Sequence, residues 1–154
     1  MLKKFAVKNY RGFSKRIELD LSNPNNYSFN QFAISGGVVK NGIIYGPNGM
    51  GKTNLGLALF DIEYHLAPLK AKKSDYYDNY VYAGNPNLTV DFEYEFDFDN
   101  QILNYDYSKN ITGQLKKESL RLNGETVFSL DGEDIYINEK YFNNAGVIQA
   151  SFNE

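Results

Sequence analysis

Residues 46–53 read GPNGMGKT and fit the pattern G-x-x-x-x-G-K-[ST], with Gly46, Gly51, Lys52 and Thr53 at the fixed positions. Those residue types at that spacing suit one task, the gripping of a polyphosphate. Gly46 lets the chain leave a strand in a tight turn, and Gly49 and Gly51 let the backbone approach a phosphate with no Cβ between them. The main-chain N–H groups of Asn48, Gly49, Met50, Gly51, Lys52 and Thr53 are expected to face the anion, helped by the positive end of a helix dipole. Lys52 is expected to reach the β- and γ-phosphates, and the Thr53 hydroxyl to bind Mg²⁺. Asn54 follows at the start of the helix and completes the expected nucleotide-contacting set.

A phosphate loop needs a strand to deliver it and a helix to receive it. Residues 41–45, NGIIY, form a short β-branched run of the kind that makes a buried strand, and they lead straight into the loop. From Thr53 the apolar period changes, so that Leu55, Ala58, Leu59, Ile62 and Leu66 share one helical face, with Pro68 closing the helix. Upstream, LKKFAVKNY reads as a first strand and KRIELDL as a second, joined by Arg11-Gly12-Phe13-Ser14. Residues 67–88 are polar and rich in turn formers and are expected to be a mobile excursion. Residues 89–140 read as an antiparallel β-meander. TVDFEYEFDF alternates strictly there, and Asp99-Asn100, Thr112-Gly113, Asn123-Gly124 and Asp131-Gly132 mark the turns. The expected fold is therefore α/β (α+β mixed), a P-loop NTPase half-domain with a central strand–loop–helix unit and an antiparallel β-meander subdomain.

The chain of 154 residues fits a single domain, with residues 1–66 as the nucleotide-binding core. Tyr and Phe, at 13 and 11 residues, tilt the composition towards sheet. Zero cysteines exclude disulfides and thiolate metal sites, and the lone His65 excludes a multi-histidine metal centre. His65 itself reads as a partly exposed histidine near a helix end. A net charge of −3 gives no general attraction for nucleic acid, although a locally basic face stays compatible with it. No run reaches the length of a membrane span and no signal peptide is legible, so a cytoplasmic location is expected.

Taken together, VKNYRGFSKRIELDLS and NGIIYGPNGMGKTNLGLALF resemble the ABC-type ATPase heads of the RecF, SMC and OLD-nuclease group, often described as AAA-family or OLD-like ATPases. The matching positions are Asn9, Tyr10, Arg11 and Phe13 of an "NFRSF"-like turn, and Gly46, Asn48, Gly49, Gly51, Lys52, Thr53, Asn54 and Leu55 of the phosphate loop. Gly12 and Ser14 are variants, and Thr53 replaces the commoner serine. The resemblance implies ATP and Mg²⁺ as ligands, with Arg11 beside the α-phosphate, ribose or base, and with Gln149 in a loop that senses Mg²⁺ and the γ-phosphate. Read from the residues alone, Arg11 fits a surface cation in a turn equally well, and Gln149 fits an ordinary polar residue near a strand end. The resemblance also implies a homodimer through the ATPase head in the full-length protein, and DNA as a target of a part absent from this chain.

Three signals are set aside. ISGGVV at 34–39 precedes the phosphate loop, whereas the ABC signature follows it, so it reads as a glycine turn. The acids of VDFEYEFDF alternate with apolar residues and read as a solvated strand face rather than as a metal-delivering Walker B strand. No catalytic residue is assigned. The expectation is an N-terminal part of a longer ATPase that binds ATP and turns it over very slowly alone. A small P-loop kinase is the alternative enzyme class, but Arg11, Arg16 and Arg121, the only arginines, are not clustered. A nucleotide-binding regulatory module without catalysis is the non-enzyme alternative.

Overall fold

The computed structural model describes residues 1–25, 28–67 and 74–143. Strand β1 (Leu2–Lys8) pairs antiparallel with β2 (Ile17–Asp20), placing Phe5 opposite Leu19 and Val7 opposite Ile17. A small separate hairpin follows, formed by β3 (Ile34–Ser35) and β4 (Val38–Val39). Its turn is Gly36-Gly37, whose positive φ values of 57° and 75° account for the paired glycines. Two short helices come next, α1 (Lys52–Leu59) and α2 (Asp61–Leu66).

The second half of the chain folds as the alternation demands. Strands β5 (Val90–Phe98), β6 (Gln101–Lys109), β7 (Leu115–Leu122), β8 (Glu125–Asp131) and β9 (Asp134–Ile137) run as successive hairpins. They join the first two strands in one seven-stranded sheet of order β2-β1-β5-β6-β7-β8-β9, antiparallel at every pairing. The turns lie where the dipeptides put them. Asp99 and Asn100 take φ 53° and 68°, and Asn123 and Gly124 take 51° and 82°, the backbone signs that let a tight hairpin follow the strand twist.

One face of this sheet makes the core. Phe5, Val7, Phe92, Tyr94, Tyr105 and Tyr107 are buried there against Ala58, with Leu55, Leu59 and Ile62 of the helices packed on them. Phe92 and Tyr107 stack at 4.9 Å between ring centroids, and Tyr10 meets Tyr80 edge-on at 5.3 Å. Each such side chain contributes roughly 1.5–3 kcal/mol by leaving water. Tyr80 and Val81, in the stretch expected as a polar excursion, belong to this core. The opposite face is charged, with Arg16 bridging Glu18 at 2.6 Å and Glu93 at 2.7 Å, and Arg121 paired with Asp106.

The expected α/β P-loop NTPase half-domain is overturned by this architecture. Residues 41–45 form no strand and have no ladder partner among the described residues, and Ile43 and Tyr45 are each 90% exposed. No central strand therefore feeds the glycine loop. A buried parallel strand requires neighbours on both edges and a layer on both faces. Here all seven sheet strands already pair antiparallel, and the sheet's second face is charged. The protein is mostly antiparallel β-sheet with two short helices on one side. The long helix expected up to Pro68 also breaks, at Phe60, and Leu66 is exposed rather than inward. The break lets Asp61, the first residue of α2, turn into the core instead of out to solvent.

Candidate phosphate-binding site

The glycine loop leads into the N-terminus of α1. Gly51 is the N-cap, with φ 91° and ψ 12°, and no side chain caps the helix. The first helical bond runs from the Leu55 N–H to the Gly51 carbonyl at 2.9 Å. Among the described residues, no main-chain N–H between Gly46 and Asn54 has a main-chain acceptor. This is the usual deficit of a helix N-terminus, extended by the loop before it. Residues 46–50 and Thr53 are exposed, so those donors face a surface and not a cavity.

Lys52 is folded back over the loop. Its ammonium donates to the Gly46 carbonyl at 2.6 Å and the Pro47 carbonyl at 2.9 Å. The three glycines of the motif differ in what they require. Gly49 and Gly51 have φ of 83° and 91°, in the left-handed region, whereas Gly46 does not, and a Cβ on Gly46 would meet nothing within 4 Å. The tight turn expected of Gly46 is thus not what this backbone demands.

The turn at residues 9–13 lies against the loop. Tyr10 and Phe13 bond each other's main chains, with N···O distances of 3.1 and 2.7 Å. Asn9, at φ 58°, secures the turn by donating from Nδ2 to the carbonyls of Asn85, Leu88 and Thr89. A Cβ placed on Gly12 would lie 3.5 Å from Asn54 Nδ2, and one placed on Gly51 would lie 2.6 Å from Phe13 Cε1. Arg11 is brought to the same neighbourhood, but its guanidinium donates to the Tyr10 hydroxyl at 3.1 Å and the Tyr76 carbonyl at 3.2 Å. Gln149 lies outside the described residues.

Behind the helices sits a feature that the sequence reading missed. Asp61 and Lys109 are both buried and paired at 2.6 Å, and Asp61 also accepts from the Tyr80 hydroxyl at 2.9 Å and the Tyr76 hydroxyl at 3.3 Å. Burial, and then the Asp61 charge, push both tyrosine hydroxyls far above their ordinary range, so they stay protonated and donate. Removing one partner of such a pair costs about 3–5 kcal/mol. Asp61 and Lys109 are 48 residues apart, so no local pattern announces them. His65 lies in the last turn of α2 and is half-buried, as expected of a partly exposed histidine near a helix end. It stacks on Tyr107 at 4.2 Å and donates from Nε2 to Glu118 at 3.1 Å.

The arrangement fits a triphosphate in its donor set. Amides without a main-chain acceptor, an uncapped helix N-terminus and a lysine ammonium are all donors of the kind that bind anions. The Thr53 hydroxyl is the protein oxygen available to a metal ion beside it, and among the described residues no cluster of three or more His, Asp or Glu could hold one. A Mg²⁺ ion held largely by phosphate and water needs no such cluster. Among the described residues no helix is long and apolar enough to cross a membrane. The chain matches no protein-family model, and it matches none of the curated proteins either.

Proposed function

We propose that the protein binds ATP with Mg²⁺ at residues 46–54. The observation that carries this reading is the run of main-chain N–H groups from Asn48 into α1, free of main-chain acceptors among the described residues and topped by Lys52. Lys52 already sits over the loop, so a side-chain rotation exchanges the Gly46 and Pro47 carbonyls for phosphate oxygens. Thr53 supplies a hydroxyl to Mg²⁺, and the metal neutralises charge on the β- and γ-phosphates. The motif's resemblance to RecF and OLD-like ATPases supports ATP over other triphosphates, a DNA-related or phage-defence role, and a homodimer.

Turnover by this chain is slow in this reading. In the ATPase heads that the motif resembles, hydrolysis relies on a carboxylate to orient the attacking water. Asp61 is held by Lys109 and two tyrosines, and Asp91, Glu93 and Glu95 alternate with Phe92 and Tyr94 and so face away from the helices. Calorimetric titration with Mg·ATP tests the binding. Lys52→Ala removes a charge-assisted hydrogen bond worth about 1.5–3 kcal/mol, so affinity falls roughly 10- to 100-fold. Equal affinity for the wild type and Lys52→Ala overturns the proposal.

A further inference from the structure

We infer that Phe13 is a positioning residue for the phosphate loop, the wall that holds the left-handed Gly51 backbone and thereby keeps the amides of residues 48–53 arranged for an anion. This inference rests on the nucleotide-binding reading and adds to it a residue outside the glycine motif. Gly51 is the point where the loop becomes α1, and its φ of 91° sets the direction in which the helix departs. The Phe13 ring lies directly over that α-carbon: a Cβ there would come within 2.6 Å of Cε1 and 2.9 Å of Cζ. Glycine is therefore required at 51 for two independent reasons, its backbone sign and the space that the ring occupies.

Phe13 is itself rigidly mounted. Its N–H bonds the Tyr10 carbonyl at 2.7 Å, and Tyr10 is buried in the aromatic core. The same turn is tied across the molecule by the Arg11 N–H to the Tyr80 carbonyl at 3.0 Å and by the Tyr82 N–H to the Asn9 carbonyl at 3.0 Å. On its other side the loop is exposed, and residues 41–45 before it pair with no strand among the described residues. A loop with one anchored wall depends on that wall for its order. Without the ring, the amides must be ordered by the ligand at the ligand's expense in affinity.

The test measures Mg·ATP affinity and backbone ¹⁵N order parameters for the wild type, Phe13→Ala and Phe13→Leu. Phe13→Ala weakens ATP on the order of tenfold, the size of one immobilisation cost, and Phe13→Leu recovers part of it. In the free protein the order parameters of residues 48–53 fall from near the rigid value of about 0.85 towards 0.6 in Phe13→Ala, while those of β5 and β6 stay unchanged. General loss of stability does not produce that local pattern. Should Phe13→Ala fail to fold, Phe13→Leu carries the comparison. Unchanged affinity and unchanged loop order in a protein whose wild type binds ATP overturn the inference and leave nucleotide binding standing. No binding of ATP by the wild type overturns the nucleotide reading, and the inference falls with it.

Discussion

One oxygen of Glu118 accepts from two elements at once, from the His65 imidazole of α2 at 3.1 Å and from the Tyr105 hydroxyl of β6. Burial opposes the charge on this carboxylate, but the two donors outweigh burial and hold its pKa below the ordinary glutamate value of 4.5. A carboxylate depressed on folding adds stability above its unfolded pKa and loses it as the pH drops through the folded one. Unfolding free energies of the wild type and Glu118→Gln, measured by urea titration, should therefore differ most above about pH 5 and converge towards about pH 3. A difference that stays constant across that window would show that the carboxylate gains nothing from its two donors. Asp61 lies in a drier place, paired with Lys109 and accepting from two tyrosine hydroxyls. Neither cluster is legible in the sequence, because His65 and Glu118 lie 53 residues apart, Asp61 and Lys109 48 apart, and each pair meets only where α2 packs on the sheet.

Helix α1 has eight residues, too few to persist in water by itself, so its neighbours must hold it. Leu55, Ala58 and Leu59 pack on the aromatic face, and the Tyr94 hydroxyl of β5 reaches the Ala58 and Leu59 carbonyls at 3.2 and 3.3 Å. Burial pushes the pKa of that hydroxyl up, so it stays protonated and a donor near neutral pH. Tyr94→Phe keeps the ring and removes this hydroxyl donor, at a cost of about 1–2 kcal/mol in urea unfolding. A change under about 0.3 kcal/mol would mean that water takes the hydroxyl's place. The strands that carry Tyr94 and its partners were readable because their period of two is strict, and their turns because Asn-Gly and Asp-Asn tolerate positive φ. Residues 41–45 misled for a definite reason. An apolar β-branched run reports that burial would be favourable, but burial also requires a neighbouring strand, and residues 41–45 pair with none among the described residues.

At the scale of the whole molecule, a seven-stranded sheet carries charges on one side and two small helices on the other, and the glycine loop hangs at the edge of that helical layer. The motif is legible because its residue types and spacing lie within eight successive positions, whereas the sheet around it follows pairings across the chain. Binding at such a surface loop reports on the entire fold, because a ligand that binds only the native state stabilises it in proportion to its concentration over Kd. Mg·ATP at a hundredfold excess over Kd adds about 2.7 kcal/mol, which for a chain of this size raises Tm by roughly 5–10 °C. Lys52 donates only to loop carbonyls, so Lys52→Ala leaves the ligand-free Tm within the small range of a surface substitution, about 0.5 kcal/mol. The 10- to 100-fold weaker binding of that variant leaves about 0.4–1.4 kcal/mol at the same ATP concentration, so its upward shift should shrink to roughly 1–5 °C, and the wild-type shift should shrink in EDTA, where the Thr53 hydroxyl has no metal to share with the phosphates. Scanning calorimetry on the two proteins, each with and without ATP, Mg²⁺ and EDTA, separates these contributions. A shift of the same size in Lys52→Ala would locate the ligand elsewhere on the molecule, and a wild-type shift indifferent to EDTA would remove Mg²⁺ from the site.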